Sequence, residues 1–291
     1  MHWHLLGLGS LGTLCAARLM QAGEQLTALP RRPATSVSRT LIYPQSHPQK
    51  AALTLTLSCQ NDRPIECLLI TVKAGDTVSA LTPVLHRLAH DATIICLQNG
   101  MGTLDNISLP ANAQVIYATT TDGACRDADQ IHVVAENETL MGNGSEQAPH
   151  WFTDIAPYWP GLTWTTEIDL ARWQKLAINA VINPLTALQR CKNGELLDNG
   201  QRQQEMATLA AEVDKLCAQI LPHWTANTRL RSETIAAQTA GNTSSMLADV
   251  LNGRATEIDY INGYLLRRAE QHNIAMPAHA ALIRKIQALV H

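Results

Sequence analysis

The chain has 291 residues, 46% of them hydrophobic and 16% charged, with a formal net charge of −3 and a pI near 6.4. That length suffices for two cores, and the sparse, scattered charge offers no electrostatic footprint for nucleic acid and no acidic or basic tail. No apolar run nears the roughly 20 residues that a bilayer span needs, and H-E-x-x-H is absent, so neither a membrane span nor a metal site is expected.

Residues 3–6 form a short apolar run that reads as a strand and leads into Gly7-Leu8-Gly9-Ser10-Leu11-Gly12. In a βαβ dinucleotide-binding unit the first glycine permits the tight turn and the second lets backbone approach a pyrophosphate. The third lets the next helix pack close to the strand, its N-terminus facing the phosphates. A ligand-free glycine-rich turn can show the same letters. Here a helical pattern over 13–22, closed by Gly23, supplies the context that the motif requires. A secretory signal is not expected, because cleavage would remove this motif.

The second strand is expected over 25–29 and ends in Pro30-Arg31-Arg32. NAD-selective folds place a carboxylate about twenty residues beyond the glycines, where it bonds the ribose hydroxyls. A guanidinium there can instead grip a 2′-phosphate, so NADP is favoured, with Arg31 the expected ligand. Both arginines also fit the commoner role of solvated loop charges.

Short apolar runs follow at 40–43, 53–59, 67–72, 93–97, 115–121, 131–134 and 139–141, with helical periodicity over 77–88. Such runs alternating with helices point to a parallel sheet covered on both faces. Beyond about residue 166 strand signals vanish, and 167–188, 201–221, 231–239, 244–251 and 257–273 read as helices. The fold class expected is α/β, with an N-terminal Rossmann dinucleotide-binding domain (1–166) and an all-helical C-terminal domain (167–291). The seven cysteines are odd in number and include no C-x-x-C, as expected of free thiols in a reducing, cytoplasmic compartment.

Ligands of open α/β sheets gather outside the carboxyl ends of the strands. Lys73 and Asn99 each follow a strand there, although an ordinary loop residue would satisfy the same pattern. A stronger signal lies in 175–185, which is nearly all apolar except Lys175, Asn179 and Asn183. Their spacing of four stacks them on one narrow helical stripe. A surface helix shows a broad charged face, so a thin polar stripe suggests a buried helix with one edge on a polar cavity. A lysine held there is a natural proton donor, since burial eases loss of its proton. The bland alternative has Lys175 reaching solvent and the asparagines capping backbone. Asn242, Ser244 and Ser245 precede an apolar run as N-cap residues do, and a helix start also suits a small carboxylate. Glu257 and Asp259 stand in the first turn of the next helix, where acids offset its dipole.

Taken together, GLGSLG at 7–12, TVKA at 71–74, QNGMGT at 98–103, KLAINAVINPLTAL at 175–188, CKNGEL at 191–196, NTSSML at 242–247 and TEIDYINGYLLRRA at 256–269 resemble the ketopantoate reductase (2-dehydropantoate 2-reductase) family. The enterobacterial members are the most similar, and the resemblance runs nearly the whole chain. It implies NADPH-dependent reduction of a branched 2-oxo acid, ketopantoate, to (R)-pantoate in pantothenate synthesis. It also implies roles. Lys175 would be the general acid, and Glu257 would hold the substrate hydroxyl and orient that lysine. Asn99, Asn179, Asn183, Asn242 and Ser245 would contact substrate, with Ser245 near its carboxylate. Gly7, Leu8, Gly9, Ser10, Leu11 and Gly12 would cradle the pyrophosphate and Arg31 the 2′-phosphate. Lys73 and Asn99 would border the nicotinamide. A monomer or homodimer is expected. Two rivals remain at this point: a reductase of another branched 2-oxo acid on the same plan, and a non-catalytic NADPH sensor.

Overall fold

In β1 (His2–Leu6) the residues Trp3 and Leu5 point one way and His4 and Leu6 the other, and all four are buried. A strand hydrophobic on both sides belongs in the middle of a sheet covered on both faces. The computed structural model describes residues 1–44, 52–60 and 62–289 and places it there. Around it lie β2 (Gln25–Leu29), β3 (Ser36–Ile42), β4 (Ala52–Ser58), β5 (Ile65–Ile70), β6 (Leu88–Leu97), β7 (Gln114–Thr120), β8 (Gly123–Asp127), β9 (Gln130–Ala135), β10 (Thr139–Gly142) and β11 (Leu162–Trp164). Their order across the sheet is β11-β10-β7-β6-β5-β1-β2-β4-β3-β9-β8.

The stretch from β7 to β4 is parallel throughout, whereas β7 with β10, β3 with β4 and β8 with β9 pair antiparallel. The expected all-parallel sheet is therefore a parallel centre with antiparallel flanks. From β1 the chain runs to β2 on one side and later to β5, β6 and β7 on the other. This reversal of strand order opens a crevice at the carboxyl ends of β1 and β5.

Alternate residues feed two layers. Trp3, Leu5, Cys67, Leu69, Ile95 and Leu97 pack with α1 (Ser10–Gln21), whose Leu14, Cys15 and Leu19 are buried. Leu6, Leu68, Ile70, Ile94 and Cys96 pack with Leu81 of α2 (Thr77–Leu81). The helix expected over 77–88 stops short. Pro83 has no N–H to give the Ser79 carbonyl, so the chain tightens into a 3₁₀ segment, Thr82–Arg87, and Leu88 opens β6. Arg18 of α1 is 2% exposed and bonds Asp122 at 2.5 Å and Glu136 at 3.3 Å beneath the Trp159 ring. Removing either partner of such a buried pair costs about 3–5 kcal/mol, so the network ties α1 to the sheet's antiparallel flank.

After α3 (His150–Ile155) come α4 (Ile168–Gln189), α5 (Gly200–Ile220), α6 (Thr228–Gln238), α7 (Ser245–Leu251), α8 (Ile258–Gln271) and α9 (Pro277–Gln287). The chain divides into two compact units, 1–98 with 104–171, and 99–103 with 172–291. The second unit has a helical core of its own, in which Met101 joins Trp173, Leu176, Leu209, Ile261 and Leu265. Among the described residues no helix is long and apolar enough to cross a membrane.

Candidate active site

In the first unit Gly7 leaves β1 with φ +114°, and a Cβ there would stand 2.5 Å from the Val72 nitrogen. Only glycine fits. The Thr71 hydroxyl donates to the Gly7 carbonyl at 2.6 Å, and the Thr71 N–H donates to Leu6 at 2.9 Å, so the TVKA motif shapes this turn. A Cβ at Gly12 would fall on the Gly7 carbonyl oxygen and the Thr71 hydroxyl. The third glycine thus lets α1 sit directly over the strand's exit.

Gly9 differs from both. A Cβ there meets nothing within 4 Å, and as N-cap of α1 it offers no side chain to the first-turn N–H groups. No acid lies in that turn either. A twelve-residue helix therefore shows its bare positive end to open space at the crevice, which fits a pyrophosphate. Leu8, Ser10 and Leu11 are half-buried beside it. Leu6 pairs with Leu29, so Pro30 and the exposed Arg31 and Arg32 emerge from β2 on this same edge of the sheet. Lys73, half-buried, follows β5 there and precedes a 3₁₀ turn at Ala74–Asp76. The amide of Gln98 donates to the Val72 carbonyl and the Thr77 hydroxyl, each at 2.8 Å, and fixes the backbone next to Lys73. The residues present fit a dinucleotide with a 2′-phosphate.

The second unit gathers the other candidates. Lys175, Asn179 and Asn183 share a face of α4, the first two half-buried and Asn183 7% exposed. Three attachments, two of them bonded to α4 itself, bring in the rest. Thr186, one turn past Asn183, donates to backbone within α4, and Ser244 stands 2.7 Å from its hydroxyl. Ser244 in turn accepts the Leu247 N–H at 3.1 Å, so Ser244 is the N-cap of α7 and Ser245 its first residue, left exposed. The CKNGEL motif holds the approach to it: the N–H groups of Asn193 and Gly194 donate to the carbonyls of Asn242 and Ala240 at 3.1 and 3.2 Å. Asn242 itself is exposed.

The second attachment is Asn262 of α8, whose amide donates to the Ala180 carbonyl at 2.8 Å. Glu257, half-buried, is the N-cap of α8, and its carbonyl accepts the N–H groups of Tyr260 and Ile261 at 3.0 Å. The third is the strap Asn99–Thr103. Gly100, at φ +81°, lies so close that a Cβ would be 2.6 Å from the Tyr260 carbonyl, which accepts the Met101 N–H at 2.9 Å. Asn99 is thereby held beside the turn that carries Glu257.

The structure thus brings Gly7 to Gly12, Arg31 and Lys73 to one edge of the first unit. It joins the segments bearing Asn99, Lys175, Asn179, Asn183, Asn242, Ser245 and Glu257 within the second. Thr71, Gln98, Thr186, Asn193 and Asn262 go unnamed in the sequence reading, although their motifs were visible. Each acts through a partner remote in sequence. Among the described residues no group of three or more His, Cys, Asp or Glu side chains is placed to hold a metal ion.

Comparison with known proteins bears on both units. The family described as ketopantoate reductase PanE/ApbA matches residues 3–146, and its C-terminal counterpart matches 167–290. The 2-dehydropantoate 2-reductase of Yersinia pestis is 36% identical over 295 residues, covering 97% of this chain and 93% of that protein. The solved PanE/ApbA family ketopantoate reductase of Ralstonia eutropha JMP134 aligns with a TM-score of 0.87 at 21% identity, over 100% of this chain and 98% of that one. D-mandelate dehydrogenase, solved with NADH and anilino(oxo)acetate, aligns at 0.81 and 19% identity over 100% and 98%. At such identities the two structures speak for the fold alone. With both parts of the family pattern matched in order and a relative more than one-third identical end to end, this chain belongs to the ketopantoate reductase family.

Proposed function

We propose that the chain reduces 2-dehydropantoate (ketopantoate) to (R)-pantoate with NADPH, a step of pantothenate biosynthesis. The observation that carries this reading is the polar stripe Lys175–Asn179–Asn183 on an apolar helix, with the Glu257 turn and the Ser244 cap both fastened to that helix's unit. Residues 1–166 serve as the NADP-binding part and 167–291, with the strap, as the substrate part. The enzyme works in the cytoplasm, as a monomer or homodimer.

When bound, the reduced dinucleotide supplies hydride to the ketone carbon. Lys175 meets the negative charge that then gathers on the carbonyl oxygen and gives it a proton, stabilising the transition state as both cation and acid. Glu257 accepts a hydrogen bond from the substrate hydroxyl and orients the Lys175 ammonium. Asn179 and Asn183 bond the substrate's polar atoms, and Ser245, with Asn242 beside it, meets the carboxylate. Lys73 and Asn99 border the nicotinamide side, and Arg31 grips the 2′-phosphate.

The direct experiment follows loss of NADPH absorbance on adding ketopantoate, with ketoisovalerate as the comparison. Turnover of ketopantoate well above ketoisovalerate is expected; the reverse preference overturns the substrate, and no turnover of either overturns the reaction. The second reading, another branched 2-oxo acid, draws on the fold shared with D-mandelate dehydrogenase, and this comparison decides it.

Arg31→Ala is expected to weaken NADPH far more than NADH, since only the former carries the 2′-phosphate. Loss of a charge-assisted contact of this kind removes about 1.5–3 kcal/mol. Fluorescence titration of both cofactors measures it. Equal weakening of the two would transfer the role to Arg32, the adjacent guanidinium.

A further inference from the structure

Helix α4 carries a proline in its interior, Pro184. Proline has no N–H and its ring crowds the carbonyl four residues back, so the Ala180 carbonyl loses the donor that every ordinary helix supplies. Ala180 is 0% exposed, which also denies that oxygen bulk water. An unpaired buried carbonyl is costly, and in this structure the side-chain amide of Asn262 on α8 answers it at 2.8 Å. Asn262 is itself 0% exposed, and its own Oδ1 has no partner. A leucine of similar size would carry no such orphan oxygen, so the residue is explained by its donor.

The place of this bond matters more than its strength. Ala180 lies in the turn between Asn179 and Asn183, five residues beyond Lys175; Asn262 lies five residues beyond Glu257. We propose that Asn262 is a positioning residue, which supplies the hydrogen bond that Pro184 removes and so sets α4, with its Lys175–Asn179–Asn183 stripe, in register with the helix that begins at Glu257. It touches neither substrate nor cofactor. The inference rests on the proposed function only for its effect on turnover; the register itself is independent of the reaction.

The test is a double-mutant cycle with Pro184→Ala, which restores a backbone N–H to Ala180. In the Pro184 background Asn262→Leu lowers kcat about tenfold while KM for NADPH changes less than about twofold; in the Pro184→Ala background the same change lowers kcat less than about threefold. Hydrogen exchange at the amides of residues 175–183 follows the same pattern, faster in the first background and unchanged in the second. Asn262→Ala, which cannot donate and adds no bulk, behaves as leucine does and serves if the leucine variant is too unstable to assay. Failure to fold in the Pro184 background alone is the same coupling in its extreme form. Equal losses in both backgrounds, or wild-type kcat and exchange in Asn262→Leu, overturn the proposal. A wild-type chain inert toward ketopantoate overturns the proposed function instead, and the exchange cycle still decides the role of Asn262.

Discussion

Lys175→Ala is expected to lower kcat by about 10²–10⁴, the range for loss of a general acid, with NADPH affinity near wild type. The reason is positional as well as chemical. Lys175 heads the stripe of α4 and lies in the second unit, whereas the glycine turn, Arg31 and Lys73 lie in the first. On the proposed assignment its loss removes the cation at the carbonyl oxygen and leaves the dinucleotide's contacts intact. Glu257→Ala acts differently, raising KM for ketopantoate as well as slowing turnover, because it is assigned to the substrate hydroxyl. Steady-state kinetics separate the two. A Lys175→Ala enzyme with near-normal kcat would move the acid role to Lys73.

Gly12→Ala is expected to raise the Kd for NADPH by at least about 100-fold, close to 3 kcal/mol, and to lower the unfolding free energy by about 2–4 kcal/mol. Its Cβ would land on the Gly7 carbonyl and the Thr71 hydroxyl, neither of which can retreat, because the two are bonded at 2.6 Å. α1 must lift, and with it the N–H groups that the proposed site offers to the phosphates. Gly9→Ala is the control. Its Cβ meets no protein atom within 4 Å, so the change costs the fold no more than about 1 kcal/mol yet occupies the space assigned to the pyrophosphate. Urea unfolding and NADPH titration of the two variants should therefore diverge. A Gly12→Ala protein with wild-type midpoint and affinity would refute this account of the turn.

Where local physics dominates, the sequence was readable. The strand at Gln25–Leu29 has the bounds expected from its apolar run and its flanking Glu24 and Pro30. The helix bearing Lys175 lies within one residue of its periodic pattern. The pattern misled over 77–88, where helical spacing continues through Pro83 but the hydrogen bonds cannot. It was silent at Gly123–Asp127, a strand with no buried residue, held by antiparallel pairing to Gln130–Ala135. Pairing of that kind belongs to the partner strand and leaves no period in the segment itself.

The site divides along the same line. Residue type and spacing pointed to the glycines and the α4 stripe, because turns and helices are local. Ser244 and Ser245 are adjacent and chemically alike, so only the bonds to Leu247 and Thr186 show which one is the cap. The link from Asn262 to Ala180 spans 82 residues, and no spacing rule reaches across it.

The strap Asn99–Thr103 has a consequence for how such chains can be recombined. It is encoded in the first half of the sequence but packs with the second unit, through Gly100 and Met101 on the Tyr260 turn. A chimera of two homologues spliced once near residue 166 would take its strap from one parent and the turn that receives it from the other. The junction that looks single along the sequence is threefold in the folded chain. With Asn99 assigned to the substrate as proposed, exchange of substrate specificity between relatives would require the five-residue strap to travel with the unit it packs in.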